Sequence, residues 1–187
     1  GHGTHVAGII AAARDNGLGV QGIAPDAQIL PGRALDPKGF GWSSDVAAAI
    51  LWAHQQGADV INLSLAGPEE PRAVSDAISW VATDPSRIQR PTVVVAAAGN
   101  SGMAYPRIWP AAHPRVIAVA SSDSVDGIAS TSSRGSYVDV AAPGVSVLST
   151  CTTSVARTGA MASTSTVRRA ASPSVRIECS GPISLPG

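Results

Sequence analysis

Apolar positions along the chain recur with two spacings, and the two alternate. GHGTHVAGIIAA predicts a helix of small residues over 3–13, which stops in RDNGLG, where Asn16-Gly17 is a strong turn signal. AQILPGRAL reads as a short strand interrupted or ended at Pro31, and DPKGFGW as a glycine-rich loop. Ser43 or Ser44 is placed to cap the next helix by accepting backbone N–H bonds. In that helix Val46, Ala49, Ile50 and Ala53 fall on one face, and Gly57 suits its C-terminal cap. DVINLSL follows as a strand, and a helix over 72–82 puts Val74, Ile78 and Val81 on one side. TVVVAAA has the continuous apolar character of a strand covered on both faces. VIAVAS and YVDVAA read as further strands, the second broken by APG. Alternation of this kind predicts an α/β fold with a mainly parallel sheet flanked by helices.

After about residue 150 the texture changes. The stretch 151–187 is rich in Ser, Thr, Arg and Pro with weak periodicity, so it is expected to be loop-rich, with one helix near 160–171. Arg168 and Arg169 of that helix would need solvent. The division is therefore residues 1–150 as a partial domain core and 151–187 as a divergent segment. Composition adds constraints rather than a function. The 187 residues are 44% hydrophobic and 4% aromatic, which predicts a core of closely packed small and aliphatic side chains. Thirteen basic and thirteen acidic residues cancel, so no basic face points to nucleic acid. The longest apolar runs are too short to cross a bilayer. No basic-then-apolar leader pattern is present, but the chain opens inside an element, so this says little about location. Cys151 and Cys179 match no zinc spacing; two free thiols and one disulfide both stay open.

The candidate chemistry rests on few residues. His54 on a helix face and His113 in AAHPR read as surface or packing histidines. His2 and His5 lie three apart near one helix face, but no neighbouring carboxylate or cysteine completes a metal site. His2 has glycine on both sides, which permits close backbone approach to a ring held by a helix. That setting suits a general base. AAAGN at 96–100 ends a buried strand, where open α/β sheets bind ligands. Gly99 lets the chain turn, and Asn100 is either a turn residue or a side-chain donor to an oxyanion.

Taken in order, GHGTHVAGIIAA, GVQGIAPDAQIL, DVINLSLAG, VVVAAAGNSG, YPRIWPAAHPRVIAVAS and YVDVAAPGVSVLST resemble the subtilisin-like serine proteases, the subtilase family, over about residues 1–150. The resemblance implies a subtilisin-like α/β fold, incomplete at both ends, and peptide hydrolysis through an acyl-enzyme. His2 would be the base and Asn100 the oxyanion donor. Ser64, Leu65 and Ala66 would line one side of the first specificity pocket, and Ala97, Ala98 and Gly99 the other; the family usually has glycine where Ala66 stands. GFGW at 39–42 could supply an edge strand for extended peptide. The implied partner is a peptide or protein substrate, and the implied location extracellular. Family members often bind calcium, but no oxygen-rich loop here presents a site.

The match fails where the nucleophile belongs. Aligning Met161 and Ala162 with the family's GTSMA puts Ala160 at the serine position, and Ser154, Ser163 and Ser165 have the wrong offset. Asp15, Asp26, Asp36 and Asp45 all follow His2 and read as turn and cap residues, not as the family's aspartate. Two functions from different classes follow: a serine endopeptidase, of which this chain is a catalytically incomplete piece, and a non-catalytic module that binds peptide without cutting it.

Overall fold

The computed structural model describes residues 1–36, 38–103, 105, 107–150 and the backbone of 164–166. Helix α1 (His2–Ala11) is followed by β1 (Leu30–Gly32), α2 (Ser43–Gln55), β2 (Val60–Leu63), α3 (Arg72–Val81), a 3-10 turn (Pro85–Arg87), β3 (Val93–Ala97), β4 (Val116–Ser122), β5 (Val140–Pro143) and β6 (Thr164–Thr166). The sheet order is β1-β6-β2-β3-β4-β5. The ladder from β2 to β5 is parallel, whereas β6 runs antiparallel to both β1 and β2. The α/β, mainly parallel architecture expected from the sequence is the one observed.

One face of this sheet makes the core. Ile61, Leu63, Val94, Ala96 and Ala118 on the strands meet Val46, Ile50 and Ala53 of α2 and Val74, Ile78 and Val81 of α3. Each fully buried Val or Ile stabilises by about 1.5–3 kcal/mol relative to exposure, and α2 and α3 pack directly on one another. Small residues such as Ala49, Ala53 and Ala77 allow that close approach. The opposite face differs from expectation. β3 alternates, with Val94 and Ala96 buried but Val93 exposed and Val95 and Ala97 half-buried. Ile117 and Val140 are exposed on the neighbouring strands. Among the described residues the strand predicted to be covered on both faces is fully covered on one.

Local chemistry explains the boundaries. Neither Ser43 nor Ser44 caps α2; Trp42 holds the cap position without a side-chain bond, and Asp45 supplies the favourable first-turn charge. Gly57 follows the last turn at φ +83° and donates its N–H to the His54 carbonyl, a conformation suited to glycine. Pro31 lies inside β1, tolerated because β1 is an edge strand. Residues 39–42 form a turn and irregular chain rather than an edge strand, pinned by Asp36 N–H to the Phe40 carbonyl. Asp36 also accepts from Phe40 N–H, a turn role as read from the sequence, whereas Asp26 pairs with Arg14 at the surface. The helix expected over 160–171 is contradicted at 164–166, which are strand; two β-branched threonines bracket Ser165 and suit an extended ladder better than a helix. The rest of the 151–187 segment, including Ala160, Arg168, Arg169 and both cysteines, lies outside the described residues.

The last carbonyls of α1 are satisfied by the next segment: Gly22, Ile23 and Ala24 donate to Ala12, Ile9 and Ile10 at 3.0, 2.9 and 2.6 Å. Gly22 crosses so close that a Cβ there would sit on the Ile10 carbonyl. Backbone cannot yield as a flexible side chain can. Gly22→Ala is therefore expected to lower stability by about 1–3 kcal/mol, read as a fall in the denaturant midpoint; an unchanged midpoint would show that α1 does not rest on this crossing.

Candidate active site

The parallel register brings the carboxyl ends of β2, β3, β4 and β5 to one rim. Leu63 pairs with Ala96, Ala97 with Val119, and Ser122 with Pro143. At that rim lies a cavity of about 360 Å³. Ser64, Ala97, Ala98, Gly99 and Asn100 line it, together with Asn62, Val119, Ser121 and Gly144, and Ile9 of α1 closes one side. Five of the residues singled out from sequence thus meet in one place. Leu65 and Ala66 are not among its lining: Leu65 is buried in the core cluster, and Ala66 is half-buried beside it. His2 sits at the start of α1 and is also absent from the lining.

The turn after β3 is held by a segment the sequence reading had passed over. Gly99 has φ +102° and its carbonyl accepts from Ser133 N–H at 2.8 Å. Ser133 Oγ accepts from Ser101 N–H at 3.1 Å, and Tyr137 donates its hydroxyl to the Ala98 carbonyl at 2.9 Å. A Cβ at Gly99 would meet Ile108 Cγ2 at 2.9 Å and Ser133 Oγ at 3.0 Å. Asn100 is thereby presented from a fixed turn while its side chain stays exposed. Within the cavity Asn62 donates to Ser64 Oγ at 2.9 Å, which orients that hydroxyl. The pairing of the serine-rich stretch ASTSSRG with the distant AAAGN is a tertiary fact with no local signal.

His2 is exposed at its outer edge, yet its imidazole is pushed down to about 4, first by desolvation, then by His5 and the amino-terminal charge. The ring is therefore neutral, with a lone pair available, across the neutral range. α1 is tied to the chain leaving β5: Thr150 Oγ1 donates to the Thr4 carbonyl at 2.8 Å and Ser149 Oγ to the His5 carbonyl. His54 and His113 are both buried packing histidines, each hydrogen-bonded. No group of three or more His, Cys, Asp or Glu able to hold a metal exists among the described residues. His2 and His5 belong to no such group among the described residues. No described helix is long and apolar enough to cross a membrane.

A parallel α/β sheet with a cavity at the carboxyl ends of its strands, bounded by a strand-exit asparagine, defines a ligand-binding scaffold of the open-sheet class. The Subtilase family model matches residues 1–174. The chain is 46% identical over 151 residues to "Thermophilic serine proteinase" of Bacillus sp. (strain AK1), covering 81% of this chain and 36% of that protein. It is 46% identical over 154 residues to "Thermitase" of Thermoactinomyces vulgaris, covering 82% and 53%. The solved structure of "Sphericase" superposes with a TM-score of 0.69 at 34% identity, over 80% of this chain and 55% of that one. The chain belongs to the subtilase family and has the subtilisin-like fold, spanning about half or less of the length of these relatives.

Two outcomes follow. The His2 ring should titrate near pH 4 in an NMR pH series; a midpoint at its ordinary 6.5 would refute the assigned environment. Because the folded value lies below the unfolded one, this group's contribution to stability is complete above pH 6.5 and lost as pH falls through about 4. Tyr137→Phe removes one donor from the Ala98 carbonyl. Its expected cost is about 0.5–1.5 kcal/mol in unfolding free energy, and no loss would show that the β3 exit is held by the Ser133 bonds without it.

Proposed function

We propose that this chain carries the base and oxyanion side of a subtilisin-type serine endopeptidase site, and that in the present sequence the site binds extended peptide without cleaving it. The observation that carries the reading is the cavity at the β3 exit, where Ser64, Ala97, Ala98, Gly99 and Asn100 converge. An extended peptide laid across that rim would place one side chain in the cavity and its carbonyl toward Asn100. Asn100 would donate its amide N–H to the oxygen that gains charge during acyl transfer. Loss of such a donor costs about 2.7–4 kcal/mol, a magnitude established on a subtilisin.

His2 would act as general base, taking the proton of an attacking hydroxyl and returning it to the leaving amine. Its low proton affinity is what the ring has without a carboxylate beside it: the groups that set it are its surroundings, His5 and the amino-terminal charge. An aspartate against Nδ1 would raise it toward the range where a base works best. Aligned with the family motif, Ala160 stands where the hydroxyl belongs, and a methyl group cannot form the acyl-enzyme. The finer reading is thus a peptide-binding subtilase segment, catalytically incomplete, that holds extracellular peptide as its family membership suggests.

Fluorophosphonate labelling, which needs an activated serine, tests the catalytic half. No labelling is expected of this chain, and labelling is expected after Ala160→Ser with an aspartate-bearing upstream strand supplied; labelling of the unaltered chain would overturn the assignment of Ala160. Titration with a peptide protease inhibitor tests the binding half: saturable binding is expected, weakened at least tenfold by Gly99→Ala, and its absence removes the binding reading.

A further inference from the structure

At the opposite end of the sheet from the cavity lies a buried polar cluster that the proposed chemistry does not use. His54, on the last turn of α2, is 5% exposed. Its Nε2 lies 2.7 Å from Asp84 Oδ2 and its Nδ1 2.8 Å from Thr92 Oγ1. Thr92 Oγ1 is also 3.0 Å from the Ala58 carbonyl oxygen. Arg87 Nη1 reaches that carbonyl at 2.9 Å and Thr92 Oγ1 at 3.0 Å. Asp84 is further held by Ser86 N–H at 2.8 Å and its carboxyl lies at about 2, chiefly through the His54 hydrogen bond, so it stays a carboxylate throughout the neutral range.

Counting protons gives two complete arrangements. Nε2 faces a carboxylate and must donate in both. With the ring neutral, Nδ1 accepts the Thr92 hydroxyl proton, and Arg87 satisfies the Ala58 carbonyl. With the ring doubly protonated, Nδ1–H donates to Thr92 Oγ1, and the Thr92 hydroxyl turns to donate to the Ala58 carbonyl. Arg87 donates to Thr92 in either case. No buried donor or acceptor is orphaned in either state, and the exchange needs one hydroxyl rotation.

We propose that His54 and Thr92 form a two-state proton switch that keeps the amino-terminal edge of β2 and β3 fastened to α2 whether or not the imidazole is charged. The charged groups facing the ring are Asp84 and Arg87, with Asp59 and Arg90 behind Arg87. α3, packed on α2, turns its Arg72–Asp76 pair into solvent. Nothing in the site at the other rim is required for this exchange.

NMR of the histidine rings in the whole chain, recorded through a pH series, tests it. The expected neutral form of His54 is the Nε2–H tautomer, gaining a proton on Nδ1 while the fold persists; a neutral Nδ1–H tautomer, or unfolding that coincides with protonation, overturns it. Thr92→Val keeps the shape but removes the hydroxyl. Its thermal midpoint should fall further below that of the parent once Nδ1 of the ring is protonated, whereas Thr92→Ser should track the parent. A constant gap between Thr92→Val and parent overturns the switch, and the ring tautomer in the parent decides the matter if Thr92→Val does not fold.

Discussion

The structure depends on the parallel ladder that joins β2, β3 and β4. Val60 to Leu63 pair in step with Val93 to Ala96, and Val94 to Ala97 with Val116 to Val119. Because a parallel pair must be joined by a crossover, each return path becomes a helical layer or a long loop. That one constraint places α3 between β2 and β3 in sequence, seats α2 and α3 on one side of the sheet, and sends every strand exit to the same rim. A slip of one residue would turn Val94 and Ala96 out of the core and Val95 and Ala97 into it. It would also displace Gly99 from its fit between Ile108 and Ser133.

The rim and the opposite edge are built by different means. At the rim the backbone turns within two residues of β3, and its carbonyls are taken by Ser133 N–H and the Tyr137 hydroxyl. Polar groups there are pinned by bonds that reach across more than thirty residues, so their placement is inherited from the packing of the 130s segment. At the opposite edge a histidine, an aspartate, an arginine and a threonine satisfy one another within a small volume. Buried polar groups without partners are costly, and both ends meet that requirement with partners distant in sequence.

How far the sequence carried this picture can be read residue by residue. The periodicity of Val46, Ala49, Ile50 and Ala53 placed α2, and that of Val74, Ile78 and Val81 placed α3, because burial on one side enforces the helical repeat. The apolar run at TVVVAAA placed β3 but overstated its cover, since a run of small and β-branched residues looks the same whether one face or two are filled. Capping failed at Ser43, where Trp42 stands in the cap position. The helix expected over 160–171 gave way to strand at 164–166, where ladder partners in β1 and β2 outweighed weak helical periodicity. At the candidate site, motif order brought Ser64 and 97–100 together, whereas Leu65 went to the core. Asp84 as partner of His54, and Tyr137 as partner of Ala98, were illegible because each pairing spans thirty or more positions with no local pattern.

The polarity of the sheet has a consequence for how the molecule can change. Thr92 immediately precedes β3 and the cavity lining begins at Val95, so the polar fastening and the cavity stand about 10 Å apart along one extended segment at about 3.3 Å per residue. Sites so separated, sharing no side-chain partners, contribute to free energy almost independently. Robustness and ligand preference in this fold are thus adjustable on separate ends of the same five-residue strand, and substitutions accumulated at one end leave the other free to vary.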